Sequence, residues 1–296
     1  MTDDLSEERG RTIRQRTNGN PLDPNDRSAT MVKPAELIDI VEMTPLSLFD
    51  RRTYNLMIAH AWDRIDEPVE HSLPKSILRG AHKGNERLSD TIQRLMAVSV
   101  EVRIQRDGKR YLKSLHLLST VGRPEDEDED GNVYYEFPAE LRAIIRQSNI
   151  FARLQTEVMF AFTSKYALAL WEMIQRRGGM RDKHTEEFSP DELRKLLGVP
   201  RGKLLGFGPF RQKVLVPAAD EVNALSSYRI EIDAIKHGRK VVKLRFLWFY
   251  KDEPGLKAAY AEAGRHSAGR SARTAHQVER IVGPAPEVDQ ISDAAQ

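Results

Sequence analysis

Cysteine is absent from the 296-residue sequence. Its absence excludes disulfides, thiolate metal sites and cysteine nucleophiles, so packing must stabilise the fold, and it suits a reducing compartment. Long apolar runs are also lacking, and the polar start MTDDLSEERGRTIRQR has no signal-peptide core. We therefore expect a cytoplasmic globular protein. With 40% hydrophobic residues, the chain is long enough for two domains.

Recognisable catalytic motifs are lacking as well. The eight histidines include no His-x-His pair and no zinc-ligand spacing, so we expect no metal. GVPRGK (198–203) comes nearest to a nucleotide-binding loop, but it lacks the required spacing and the Ser or Thr after the lysine. No pair of acidic residues matches a nuclease scaffold. We therefore predict that the protein is not an enzyme and uses no cofactor.

Positive charge is concentrated in two segments, although the net charge is only +2. Residues 201–251 contain 11 Lys and Arg against 4 Asp and Glu, and residues 75–113 contain 10 against 4. The remainder of the chain is acidic. Such local concentrations of basic residues suit a polyphosphate backbone, which makes double-stranded DNA the expected partner.

The segment 207–225 has the pattern of an amphipathic helix. Five apolar residues recur at helical spacing and predict one buried face: Phe210, Val214, Ala218, Val222 and Leu225. Arg211, Gln212 and Lys213 fall outside that face and are left for solvent or a ligand. Pro217 lies inside the helix and lacks an N–H, so we expect a kink there.

A basic hairpin follows this helix. Residues 228–235 and 241–249 alternate apolar and polar side chains as strands do, and the Gly-containing segment 236–240 between them reads as a turn. A helix followed by a two-stranded basic hairpin is the outline of a winged helix. Arg239 and Lys240 would bring this turn to the DNA backbone or the minor groove.

The first basic segment repeats this design. NERLSDTIQRLM (85–96) predicts a helix with Leu88, Ile92 and Leu95 on its apolar face and Arg87, Thr91 and Arg94 largely outside it. An Asp107-Gly108 turn between residues 98–106 and 109–118 predicts a hairpin. We therefore predict an α+β fold with two tandem winged-helix domains, 31–150 and 151–252.

The flanking segments are poor in large apolar residues. We predict that residues 1–30 form a disordered arm and residues 253–296 a disordered tail, because little can be buried to offset the entropy of ordering. Glu125–Asp130 is a run of six acidic residues that we expect to form a solvated loop. Such a loop can also repel misplaced DNA or bind the basic face of a partner.

Two further segments start with helix caps. SKYALALWEMIQRR (164–177) begins with Ser164 as N-cap and ends at Gly178-Gly179, and SPDELRKLLG (189–198) has a Ser cap, an early proline and a terminal glycine. Lys165 lies beside Ser164 at a helix start. Because helix N-termini attract anions, these two residues form a candidate phosphate clamp.

The second half of the chain resembles the theta-type plasmid replication initiators, which bind iterons, the short direct repeats of an origin, through two winged-helix domains. The resemblance rests on SKYALALWEMIQRRGG, SPDELRKLLGVP and FRQKVLVPAADEVNALSSYRIEIDAIKHGRKVVKLRF, which together cover most of residues 160–250. The first half is similar more loosely, through VKPAELIDI, LSLFDRRTYNLMI and YYEFPAELRAIIRQ. The acidic loop and the long tail depart from the family pattern.

This resemblance implies a non-enzymatic initiator. Monomers would bind the repeats, help to open an A·T-rich segment and recruit the host initiator and replicative helicase. Dimers in equilibrium with them would bind an inverted repeat and repress the protein's own gene, with contacts supplied by the first domain. Two alternatives remain open: a winged-helix transcriptional repressor, which would bind a single palindrome, and an origin-nicking relaxase, which would need a metal.

The candidate DNA-binding residues follow from these patterns. Arg211 and Gln212 have the donors to read guanine or adenine edges in the major groove, and Lys213 can read a base or meet phosphate. In the first domain, Arg87 and Arg94 are the analogous candidates. The complete predicted set is Arg211, Gln212, Lys213, Lys203, Lys165, Ser164, Arg239, Lys240, Arg87 and Arg94.

Overall fold

The computed structural model of the chain describes residues 18–23, 26–79, 86–106, 108–122, 131–180 and 183–274. The predictions for residues 1–17, for the acidic run Glu125–Asp130 and for residues 275–296 lie outside these ranges. No helix in the described part of the chain is both long enough and apolar enough to span a bilayer.

The first domain contains two small antiparallel sheets, each of three strands, beside three longer helices. In chain order the elements are β1 (Thr30–Pro34), α1 (Ala35–Ile38), β2 (Val41–Glu42), α2 (Leu48–Ala61), β3 (His71–Pro74), α3 (Lys75–Arg79), α4 (Glu86–Ala97), β4 (Ser99–Arg106), β5 (Lys109–His116), β6 (Thr120–Gly122), β7 (Asn132–Glu136) and α5 (Ala139–Gln147). The sheets have the strand orders β2-β4-β5 and β3-β7-β6. Helix α2 begins with a capping box, in which Ser47 and Asp50 each accept a hydrogen bond from the other's backbone N–H.

Two elements connect this domain to the second, β8 (Phe151–Gln155) and α6 (Thr156–Ala161). Strand β8 pairs with β1 in antiparallel register, with Thr30 opposite Gln155 and Pro34 opposite Phe151. Strand β8 begins just after the boundary predicted between residues 150 and 151, and it is hydrogen-bonded to the first strand of the first domain.

The second domain has a three-stranded sheet packed against its helices, in the order β10 (Tyr228–His237), β11 (Lys240–Tyr250) and β9 (Thr185–Phe188). Ser164 and Ser189 cap the first two helices as predicted, each accepting a backbone N–H. The elements are α7 (Lys165–Gly178), β9 (Thr185–Phe188), α8 (Pro190–Leu196), α9 (Phe207–Phe210), a π-helical segment (Arg211–Leu215), α10 (Val216–Leu225), β10 (Tyr228–His237) and β11 (Lys240–Tyr250). Both domains thus carry a helix followed by a hairpin, which confirms the predicted α+β architecture.

The π-helical segment explains how Pro217 fits inside a continuous helix. The Val216 N–H bonds to the carbonyl of Arg211, five residues earlier, which widens the turn just before the proline. Proline lacks an N–H, and its ring would clash with the carbonyl four residues before it in a regular α-helix. Instead of a simple break, the chain inserts a π turn, so α9, the π segment and α10 form one helix, called helix 207–225 below.

Ordered structure extends beyond the predicted limits of both flanking segments. Two helices follow the second sheet, α11 (Glu253–Ala263) and α12 (Arg270–Thr274), so the prediction of disorder from residue 253 is wrong as far as residue 274. At the other end, Asn18 forms a bridge with Thr30, and Ala29 is fully buried. Apolar residues are few here, and ion pairs such as that of Arg270 with Glu262 hold the segments in place.

The two domains meet across an interface rich in buried charge. The Lys33 ammonium bonds to the Glu172 carboxylate at 2.8 Å, and Arg177 bonds to Asp39 at 3.0 Å. Both partners of the first pair are almost completely buried. Helix α7, which carries Glu172 and Arg177, therefore joins the two domains, since Arg177 also pairs with Glu186 of β9.

Candidate nucleic-acid interface

Helix 207–225 buries the face that the sequence predicts. Phe210, Val214, Ala218, Val222 and Leu225 all lie in the core. Gln212 and Lys213 are exposed and Arg211 is half-buried. The Arg211 Nε lies out of solvent without a hydrogen-bond partner among the described residues. The predicted division of this helix into a core face and a polar N-terminal part is confirmed, and that part offers donors to a ligand.

The basic side chains on the surface of the second domain differ in whether they form ion pairs. Lys243 and Arg245 pair with Glu187, and Arg229 pairs with Glu231. A second group makes no ion pair with any described residue, and all its members except Arg211 are exposed: Lys195, Arg201, Lys203, Arg211, Lys213, Lys236, Arg239 and Lys240. These unpaired cations lie before helix 207–225, in its first half and at the hairpin turn.

The hairpin turn is formed as predicted. His237 pairs with Lys240, and Gly238 has a φ of 58°, a left-handed conformation that glycine adopts without strain. Both Arg239 and Lys240 are exposed at this turn. The cations therefore stand at the end of a rigid two-stranded ribbon, where they can meet a phosphate backbone without displacing any other contact.

Asn223 fixes this ribbon relative to helix 207–225. Its side-chain amide donates to the Ile230 carbonyl at 3.0 Å, and its side-chain oxygen accepts from the Ile230 N–H at 2.7 Å. Near by, Lys251 donates to the Asn223 carbonyl at 2.6 Å, and burial lowers the pKa of Lys251 to about 8. The helix and the hairpin thus form one rigid unit.

The predicted phosphate clamp at the start of α7 is occupied by the protein itself. Ser164 accepts the Tyr166 N–H at 3.2 Å, which confirms it as the cap. The backbone N–H groups of Thr163 and Ser164 donate to the Glu221 carboxylate at 2.9 and 3.1 Å. A carboxylate at a helix N-terminus takes the place that an anionic ligand would need. The structure therefore argues against a phosphate at Ser164.

Lys165 has an interdomain role that the sequence did not indicate. Its ammonium donates to the Leu46 carbonyl of the first domain at 2.9 Å. Burial lowers its pKa. A partly buried cation that is already hydrogen-bonded across the domain interface is poorly placed to clamp phosphate, so the structure argues against this predicted role too.

Arg94 is neutralised within the first domain. It forms an ion pair with Asp50 at 2.8 Å, and Thr91 donates to the same carboxylate at 2.7 Å. Thr91 is fully buried, so the prediction that it lies off the packed face of α4 is wrong. Arg87 is exposed, with its guanidinium 4.3 Å from the Phe49 ring centre. Arg94 is thus held by Asp50 although its side chain is 42% exposed, so Arg87 is the better placed of the two predicted contacts in α4.

The first hairpin carries cations that sequence reasoning did not single out. Lys109 and Arg110 are exposed on β5 and Lys113 is half-buried there, and none of the three has an ion pair within the described ranges. Their only signal in the sequence is the basic turn itself. In the described residues no three His, Asp or Glu side chains converge as a metal site would require.

Comparison with known protein families identifies both domains. The family model described as Initiator Replication protein, WH1, matches residues 30–175, and the one described as Initiator Rep protein, WH2, matches residues 189–248. The two matches span 146 and 60 residues, which is 206 of the 296. No curated protein sequence matches the chain.

Proposed function

The chain belongs to the initiator Rep protein family of plasmids, and from this membership we propose that it binds directly repeated sites at a replication origin through helix 207–225 and the β10–β11 hairpin. DNA binding and a role in starting plasmid replication follow from the family. The nature of the sites, the residues that read them and the partners recruited there are our proposal.

One observation carries this proposal: the unpaired cations of the second domain are segregated from the paired ones. Ion pairs such as Lys243 with Glu187 neutralise the surface of the sheet, whereas Lys213 and Lys240 have no partner in the described residues. Leaving cations unpaired costs repulsion unless a polyanion supplies the counter-charge. The unpaired cations lie on the parts of a winged helix that enter or flank a groove of DNA.

Within this surface the residues differ in what they can recognise. Arg211 carries a pair of donors that matches the guanine edge in the major groove, and the Gln212 amide offers a donor and an acceptor that match the adenine edge. Arg239 and Lys240 are cations at an exposed turn and suit phosphate. Lys203 lies just before the helix and suits phosphate for the same reason.

We assign the first domain an auxiliary role. Arg87 and the hairpin cations Lys109 and Arg110 would contact DNA beside the second domain's site, and the same domain would supply the contacts of a dimer. As a dimer the protein would bind an inverted repeat and repress its own gene. As a monomer it would open the origin and recruit the host initiator and replicative helicase, without catalytic turnover of its own.

The test starts from selection of duplexes by the purified full-length chain from a random-core library. The selected sequence is then built into duplexes with one copy, direct repeats or an inverted repeat. Stepwise gel shifts on direct repeats support the proposal, and binding confined to the inverted repeat supports a repressor. A further experiment incubates the protein and supercoiled direct-repeat DNA with Mg²⁺ or Mn²⁺. A nicked or covalently attached product would contradict the proposal that the protein is not an enzyme.

A further inference from the structure

The loop before helix 207–225, residues 201–206, presents a leucine to solvent. Leu205 is 71% exposed, more than any other large hydrophobic side chain in the described residues. Its neighbour Leu204 has a φ of 52° and is the one non-glycine residue of the described chain with a positive φ. Such a conformation is unfavourable for leucine and persists only where the surroundings hold it.

Arg194 holds this backbone in place. Its Nε donates to the Leu204 carbonyl at 2.8 Å and one Nη donates to the Leu205 carbonyl at 2.7 Å. The other Nη bonds to Asp191 at 2.6 Å, and the guanidinium lies 4.8 Å from the ring centre of Phe210. Arg194 is itself only 7% exposed. One side chain thus connects α8, the loop and the first turn of helix 207–225.

The held conformation sends two consecutive leucines in opposite directions. Leu204 packs against the hydrophobic core, whereas Leu205 projects outward. The exposed side chains of this loop are otherwise polar or small, and Arg201 and Lys203 lack an ion pair in the described structure. A docking site for a protein would need a continuous apolar patch. A single exposed leucine that follows two unpaired cations suits the edge of a DNA groove instead.

We propose that Leu205 makes an apolar contact with a thymine methyl group in the major groove beside the bases read by Arg211, and that Arg194 is the residue that positions it. This inference rests on the proposed DNA binding of helix 207–225. The 5-methyl group of thymine is the apolar feature that the major groove displays. Leu205 would therefore add discrimination at a base pair that no hydrogen-bonding side chain reads.

The test replaces the thymines of the selected duplex one at a time by deoxyuridine, which removes only the methyl group. Wild-type protein should lose about fourfold in affinity at one position, the value of one buried methyl group. Leu205→Ala should bind the selected duplex about tenfold more weakly, keep its affinity for a scrambled duplex and be indifferent to deoxyuridine at that position. Ile150→Ala removes an exposed aliphatic side chain elsewhere and should change nothing.

The positioning role is tested by combining variants. Arg194→Lys keeps the charge but lacks the planar fork of donors that spans the two carbonyls, so it should weaken binding and abolish the deoxyuridine effect in the wild-type background yet add nothing to Leu205→Ala. Leu204→Gly, which removes the side chain that anchors the loop on the core, should reduce the same effect and serves if Arg194→Lys does not fold. Additive losses would overturn the positioning role.

Two other outcomes separate this inference from the proposed function. If wild-type protein enriches no sequence from the library, the proposed site recognition fails. If it does enrich one, but Leu205→Ala binds and discriminates as wild type does, or loses affinity equally on both duplexes, recognition stands and the Leu205 contact is overturned.

Discussion

The Lys33 ammonium lies 2.8 Å from Glu172 Oε2, and the two side chains are only 6% and 2% exposed. Asn55 completes the arrangement, accepting from Lys33 at 2.9 Å and donating to Glu172 at 2.6 Å. Burial lowers the pKa of Lys33, and the Glu172 charge opposes that effect. The first strand of the first domain is thereby joined to the helix that opens the second.

Glu172→Gln should lower the free energy of unfolding by about 3–5 kcal/mol, because it leaves the Lys33 charge buried without a counter-charge. The double variant Lys33→Met/Glu172→Leu removes both charges and should be more stable than Glu172→Gln. Urea unfolding of the three proteins measures this. A double variant no more stable than Glu172→Gln would show that packing, not charge, dominates here.

Asp220→Asn should stabilise the protein at neutral pH. One oxygen of Asp220 is buried without a partner in the described residues, and burial raises the pKa of this carboxyl to about 6. Since the folded-state pKa lies above the usual value of 3.8, ionisation destabilises the fold increasingly as the pH rises from about 4 to 6. The shift corresponds to about 3 kcal/mol, and partial exposure reduces the expected gain to about 1–2 kcal/mol.

The urea midpoints of Asp220→Asn should therefore exceed the wild-type midpoints at about pH 7.5 and coincide with them at about pH 4. Asp233→Asn, on the exposed side of β10, is the matched control and should be neutral throughout. An equal gain at both pH values would mean that the carboxylate is not the source of the effect.

Arg270→Ala should destabilise the chain by about 2–4 kcal/mol, because a buried guanidinium that bonds to two carboxylates is removed. Arg270 reaches Glu262 at 3.2 Å and Glu221 at 3.4 Å and also donates to the Ala161 carbonyl. Arg265→Ala, with a side chain 63% exposed, should cost little. Thermal unfolding compares the two. Equal, small effects would show that the segment 253–274 adds nothing to stability.

Arg211→Ala should cost about 1–3 kcal/mol of binding on the selected duplex and much less on scrambled DNA, because a bidentate contact to a base edge is lost. Fluorescence anisotropy on both duplexes measures the difference. Losses of the same size on both would identify Arg211 as a phosphate ligand.

Lys240→Ala should weaken binding to both duplexes alike and lower the slope of log affinity against log salt concentration by about 0.9, the value of one phosphate contact. Lys243, three residues along the same strand, pairs with Glu187 at 2.9 Å and provides the control. Its alanine variant should leave the slope nearly unchanged. If the two variants change the slope by the same amount, the hairpin turn does not contact phosphate in the way we propose.

Local patterns were enough to predict several elements of the fold. The Ser164 and Ser189 caps, the apolar face of helix 207–225 and the glycine turn at Gly238 each depend on residues a few positions apart, and all are present. The π segment was missed, although Pro217 pointed to an irregularity there. Hydrophobic spacing cannot tell a kink from a widened turn.

The roles of individual charges depended on partners far along the chain. Lys165 meets a carbonyl 119 residues away and Arg94 meets a carboxylate 44 residues away. Nothing in the sequence around these residues distinguishes them from Lys213 or Lys240, whose side chains remain unpaired in the described structure. Charge counts could therefore locate the DNA-binding modules, but only the folded structure separates cations that hold the domains together from those available to a ligand.

The charged interface between the domains also bears on synthesis of the chain. Lys33 leaves the ribosome 139 residues before its partner Glu172, a delay of about 7 to 28 s at about 5–20 residues per second. During that time the face of the first domain that will receive α7 is exposed to water. Because charged side chains form part of that face, the nascent domain exposes a polar surface there. Such a surface is less prone to aggregate than an apolar surface.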